Sequence, residues 1–175
     1  TGDDVFPITI NYNPQASASR TLTIKPNSTV SFLVNTPEAM FRLNGAEYVI
    51  LDGSRNGTAT RDIVIESFNN NGTEAVVWLT STATKGARYN TIKNIEFRGN
   101  GRNGTFAAIV TSGGNSKTDP AEHPNSNNII ENNSLRKSYY GILLNGSASS
   151  DVNNIIRRNQ FLSSSLTVAN ATGFR

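Results

Sequence analysis

Residues 90–97 read NTIKNIEF, residues 128–135 NIIENNSL and residues 154–161 NIIRRNQF. In each, an Asn stands two places before an Ile that itself stands five places before a Phe or Leu: Ile92/Phe97, Ile130/Leu135 and Ile156/Phe161. DIVIESF at 62–68 shares the apolar spacing through Ile63 and Phe68. A second frame alternates with the first: AMFRLNG (39–45), AVVWLTS (75–81), AAIVTSG (107–113) and YGILLNG (140–146). With Phe41, Val77, Ile109 and Ile142 taken as equivalent, the steps are 36, 32 and 33 residues. Such steps are long for a hairpin, and no helical segment lies between the frames to serve a βαβ crossover. They suit one turn of a solenoid whose short strands stack in parallel on those of the next coil.

Composition agrees. The 175 residues hold 24 Asn, 18 Ser and 18 Thr, with no Cys. These small polar residues compete with the helical backbone for hydrogen bonds, so a chain this rich in them is strand and turn. The apolar residues recur in compact runs, which argues against disorder, and the length supports a core without disulfides. The net charge of +3 comes from Lys and Arg scattered singly or in pairs such as Arg157-Arg158. No basic block interleaved with aromatics exists, so nucleic acid is not an expected partner. No run of 18 apolar residues is present to insert into a membrane.

The expected fold is therefore all-β, a right-handed parallel β-helix of about four to five coils. Residues 1–38, with strands in VFPITINY (5–12) and RTLTIKPNSTVSFLVN (20–35), are expected to form the N-terminal cap or first coil, and residues 39–175 the coils proper. LTVANATGFR (166–175) starts another strand of the second frame and then stops, so adjoining modules of the same chain are expected. The Asn excess gains a cause: corners repeat every ~4.8 Å along the axis, so identical amides bond to those above and below. Asn90, Asn128 and Asn154 are the clearest members of such a ladder. The period of two points Phe41, Val77, Ile109 and Ile142 inward and makes Arg42, Trp78, Val110 and Leu143 an outward row, covered by a flanking loop or used for contact.

The stretch from FRLNGAEYVILDGSRNG (41–57) through IKNIEFRGNG (92–101), with NNIIENNSLRKSYYGILLNG (127–146), resembles the right-handed β-helix repeats of the pectin-lyase-like superfamily. More narrowly it is similar to large secreted surface proteins of Bacteroidota, many of them cargo of the type IX secretion system. The resemblance implies a secreted or cell-surface module of a larger bacterial protein, acting in adhesion, matrix structure or as a rigid stalk. It is compatible with a different class, a polysaccharide lyase or glycoside hydrolase whose site is completed elsewhere in the chain, because one solenoid carries both.

Catalytic signals are thin. No two of Asp52, Asp62, Asp119 and Asp151 share a frame position in neighbouring coils, as calcium ligands of a lyase would. Glu66 and Glu96 are offset by one residue, which sends them to different faces and spoils a glycosidase pair. Asp52-Gly53 reads as a turn with Gly53 at positive φ. His123 lies alone in the long loop at 112–127 and is solvated rather than a metal ligand. No catalytic residue, metal or cofactor is assigned. Arg42, Trp78, Tyr139 and Tyr140 are the candidates for contact with a surface polysaccharide or another surface protein, the aromatic rings offering platforms for a sugar.

Overall fold

A computed structural model describes residues 6–162 and the backbone of 166–170; residues 171–175 of the last frame, and Asp3 and Asp4, lie outside the described residues. The chain winds as a right-handed parallel β-helix. Its first coil is β1 (Ile8–Asn11), β2 (Leu22–Ile24) and β3 (Val30–Val34); the second is β4 (Phe41–Asn44), β5 (Val49–Asp52) and β6 (Ile63–Ser67). The third is β7 (Glu74–Thr80), β8 (Thr91–Lys93) and β9 (Ile95–Arg98); the fourth is β10 (Thr105–Ser112), β11 (Ile129–Glu131) and β12 (Ser134–Arg136). The fifth is β13 (Tyr140–Leu144), β14 (Ile155–Arg157) and β15 (Gln160–Phe161), and β16 (Leu166–Asn170) opens a sixth. Three parallel sheets result: β1-β4-β7-β10-β13-β16, β2-β5-β8-β11-β14 and β3-β6-β9-β12-β15. We call them the first, second and third.

The second frame lies in the register its spacing predicts, since Phe41 pairs with Val77, Val77 with Ile109, and Ile109 with Ile142. The segment at 62–68 does not. Leu51, not Ile63, stacks on Ile92 and thence on Ile130 and Ile156, while Ile65 stacks on Phe97, Leu135 and Phe161. A loop at 53–62 separates these anchors in the second coil, so the five-residue spacing of Ile63 and Phe68 is coincidental and Phe68 is exposed.

One continuous core fills the coil, with Leu43, Leu51, Ile65, Leu79, Ile92, Phe97, Ile109, Ile130, Leu135 and Ile142 all buried. Strict alternation fails where the chain enters the first sheet: Met40 with Phe41, Val76 with Val77, and Ala108 with Ile109 are consecutive residues that both face the core. A register shift between Thr105 and Ala107, where β10 pairs with β7, marks the irregularity there.

Left-handed backbone forms the first corner of the second to fifth coils and the second corner of the third to fifth. Tyr48, Tyr89, Asn127 and Asn153 have φ of 57, 57, 60 and 57° between the first and second sheets; Asn94, Asn132 and Arg158 have 59, 52 and 57° between the second and third. Asn tolerates this region best among residues with a side chain, which is one source of the composition. The tyrosines share the first corner as a parallel stack with centroids 4.9 Å apart.

The buried asparagines combine amide-to-amide contact, Asn90 Nδ2 donating to Asn128 Oδ1 and Asn133 Nδ2 to Asn159 Oδ1, both at 3.1 Å, with bonds to the backbone. Asn90 Oδ1 accepts Val49 N–H at 2.9 Å, Asn128 Oδ1 accepts Asn90 N–H at 3.0 Å, and Asn154 Oδ1 accepts Asn128 N–H at 2.8 Å. Their Nδ2 groups donate to the carbonyls of Ala46, Ala87 and Asn125. Each side chain thus clips the backbone corner of the coil before it. Asn133 and Asn159 do the same at the other corner, accepting Ile95 N–H and Asn133 N–H and donating to Ile92 and Ile130 carbonyls. At the outer positions Asn132 Nδ2 donates to Asn94 Oδ1 and Asn94 Nδ2 to the Asp52 carboxylate, both at 2.7 Å.

Candidate functional site

The outward row of the first sheet, Arg42, Trp78, Val110 and Leu143, is in register and mostly buried. Trp78 is 3% exposed. Together with Ala39, Ala75 and Ala107 it forms a second apolar cluster on the outside of the coil, against which Phe106 and Tyr140 pack.

A loop from the fourth coil covers this row. After β10 the chain turns back along the axis toward the second coil, and Gly114 O accepts a 2.6 Å hydrogen bond from Arg42 Nη2. Lys117 Nζ reaches the Pro37 carbonyl at 3.3 Å. Arg42 and Lys117 each lie 4.7 Å from the Trp78 ring centroid, and Trp78 Nε1 donates to Ser112 Oγ at 2.7 Å. Between loop and sheet is a groove of about 360 Å³, lined by Glu38, Arg42, Thr73, Trp78, Phe106 and Lys117 together with loop backbone.

Charge in the groove is mixed. Glu38 Oε2 lies 3.6 Å from Arg42 Nη1. Behind the wall, Glu74 is wholly buried, its Oε2 accepting from Ser67 Oγ while Oε1 has no hydrogen-bond partner. Burial pushes its carboxyl up to about 7, opposed by the Ser67 hydrogen bond and the charge of Lys117. Burial likewise lowers the Lys117 ammonium, against the pull of Glu38. Of these two acids, only Glu38 lines the groove.

Tyr139 and Tyr140 stand beside the site rather than in it. Their rings meet edge to face at 4.5 Å, Tyr140 meets Phe106 in the same way at 5.4 Å, and Arg102 lies 4.7 Å over Tyr139. Phe106 therefore links the groove to the tyrosine pair. Glu38, Glu74, Phe106 and Lys117 went unnoticed in the sequence because nothing local says that Lys117 folds back over Trp78.

The remaining candidates fall into structural places. Val64 pairs with Glu96 and Glu66 with Arg98, so Glu66 and Glu96 share the outer face of the third sheet rather than opposing faces. They are joined through Arg98, which lies 3.7 Å from Glu66 and 2.8 Å from Glu96, and Arg136 adds a contact to Glu96 at 2.5 Å. These arginines hold the Glu96 carboxyl below its ordinary range, Arg98 contributing most. Asp52 accepts from Ser54 N–H and Asn94 Nδ2 and pairs with Lys93 at 3.3 Å. Gly53 is not at positive φ; it is required because a Cβ would sit 1.8 Å from the Asn94 carbonyl oxygen of the next coil. His123 Nε2 lies 2.9 Å from the Ala83 carbonyl. Among the described residues no group of three or more His, Cys, Asp or Glu is placed to hold a metal.

Comparison with known proteins adds no identity. No family model, curated protein or solved structure matches this chain. Its parallel β-helix stands on its own register.

Proposed function

We propose that this chain is a non-catalytic β-solenoid module of a larger secreted or cell-surface bacterial protein, pectin-lyase-like and akin to the secreted surface proteins of Bacteroidota, serving adhesion or matrix structure as a stiff unit. The observation that carries the reading is the density of coil-to-coil ties. Beyond three strand ladders, asparagine clips close successive coils at both corners, and two loops run along the axis in opposite directions. The loop after β10 reaches back to Arg42. The loop at 53–62 reaches forward, where Arg61 bonds the Asn132 carbonyl, the Asn132 side chain and Gln160. Such ties resist bending and shear between coils, which is what a stalk requires.

Contact with a surface polysaccharide is the second reading, favoured by the groove in which Trp78 and Phe106 meet Arg42, Lys117 and Glu38. Both readings are tested by the full-length protein on a glycan array and in a depolymerisation assay. The expected result is glycan retention, or none, without release of new reducing ends or unsaturated products. Product release that is lost in Glu38→Gln would replace the module with an enzyme.

A further inference from the structure

Six Asn-Gly dipeptides occur in the chain, at 44–45, 56–57, 71–72, 100–101, 103–104 and 145–146. This dipeptide is chemically labile, because the glycine amide nitrogen meets little steric hindrance when it attacks the preceding side-chain carboxamide. Attack requires that nitrogen to be free. The fold holds four of them: Gly45 N–H donates to Thr80 O at 2.8 Å, Gly72 N–H to Gly104 O at 3.0 Å, Gly101 N–H to Lys137 O at 2.7 Å and Gly104 N–H to Gly101 O at 3.1 Å. Asn145 is 4% exposed and spends its carboxamide on the Lys117 carbonyl at 3.2 Å.

Asn56-Gly57 has neither restraint. Both residues are exposed, a Cβ at Gly57 would meet nothing within 4 Å, and among the described residues the Gly57 N–H has no hydrogen-bond partner. The Asn56 side-chain Oδ1 accepts from Thr58 Oγ1 at 2.7 Å, Ser54 Oγ at 3.0 Å and Thr58 N–H at 3.2 Å. Hydrogen bonds to that oxygen polarise the Cγ carbonyl and stabilise the oxyanion formed on attack.

We propose that Asn56 is a spontaneous modification site whose conversion to isoaspartate releases the loop at 53–62 from the coils it straps. The Gly57 nitrogen loses its proton to solvent and bonds to Asn56 Cγ. The Cγ–Nδ2 bond breaks, and the nitrogen leaves as ammonia once protonated. Water then opens the cyclic imide, giving aspartate or isoaspartate; no redox partner is needed. Isoaspartate lengthens the backbone by one carbon in a loop whose downstream positions are fixed: the carbonyls of Thr58 and Ala59 accept from Asn94 and Asn132, and Arg61 spans to Asn132 and Gln160. Where the imide opens to aspartate instead, the new side-chain carboxylate faces Asp62, since the Thr60 hydroxyl lies 3.4 Å from Asn56 Oδ1 and 2.8 Å from Asp62 Oδ2.

The test is incubation of the full chain in mildly alkaline buffer, with peptide mapping by mass spectrometry and enzymatic isoaspartate labelling at intervals. Asn56 is expected to convert about tenfold faster than Asn71 or Asn103, because their glycine amides must first break a hydrogen bond. In denaturant the difference should vanish. Equal or faster conversion at Asn71 or Asn103 in the folded chain, or an Asn56 lead that persists in denaturant, overturns the site. Hydrogen exchange on the converted fraction reads the release: the Asn94 and Asn132 corner amides should lose protection, and unchanged protection overturns the strap.

Discussion

Asp151 occupies, one coil later, the position that Asn125 fills. Asn125 Oδ1 accepts Ala87 N–H, and Asp151 Oδ1 accepts Asn125 N–H. An amide at 151 would have a donor to spend where the carboxyl has only a second oxygen, and that Oδ2 is buried without a partner. Burial raises the Asp151 pKa to about 6, as it raises that of Glu74 to about 7. Both folded values exceed the ordinary ones of 3.8 and 4.5, so the folded state holds these protons more tightly than the unfolded chain. Their stabilising contribution is complete below the ordinary values and is lost as pH rises through about 6 and 7. At about pH 8 each ionised group then costs on the order of 3 kcal/mol. Asp151→Asn and Glu74→Gln should therefore each raise the urea midpoint at about pH 8 and converge on the parent near pH 4. Equal destabilisation at both pH values would show that burial does not govern these groups. Neither was legible in the sequence, since Asp151 lies in a polar turn and Glu74 at a strand start, and only stacking buries them.

Clips and outer ladders differ at the level of the corner element. Asn128 satisfies the Asn90 N–H and the Ala87 carbonyl, both inside the wall. Replacing it with Ala orphans both, at about 1–3 kcal/mol per buried group, so Asn128→Ala should lose about 2–4 kcal/mol in urea unfolding. Asn153, by contrast, donates to Asn127 at an exposed corner, where water replaces the partner. Asn153→Ala is expected to lose only about 1 kcal/mol, the cost of holding Ala at the left-handed φ of 57°. Loss of equal size in both would mean that the clips are worth no more than surface amides. The ladder members Asn90, Asn128 and Asn154 could be read from their fixed place before an Ile. That they bond backbone as well as one another could not, because it depends on which way each side chain turns at a left-handed corner.

For the molecule as a whole, the single core makes the coils interdependent. Ile130 lies between Ile92 and Ile156 and is 2% exposed. Ile130→Asp buries a charge with no partner and should abolish cooperative unfolding, as monitored by circular dichroism. Leu33 in β3 is 68% exposed, and Leu33→Asp should leave the transition within about 0.5 kcal/mol of the parent. A sigmoidal transition surviving in Ile130→Asp would refute the stacking of β8, β11 and β14.

The repeat alone determined the solenoid and the register of the first sheet, because a parallel stack requires inward residues to recur once per coil and Phe41, Val77, Ile109 and Ile142 do so. It misplaced Ile63 and Phe68, since an inserted loop shifts spacing without leaving a mark on the apolar pattern. Tertiary structure decided what the loops do. Whether the loop after β10 lies over Trp78 or extends into solvent depends on contacts between residues far apart in sequence, such as Arg42 with Gly114, separated by 72 positions. Local sequence carries no trace of such a pairing, so the outward row could be read while the groove above it could not.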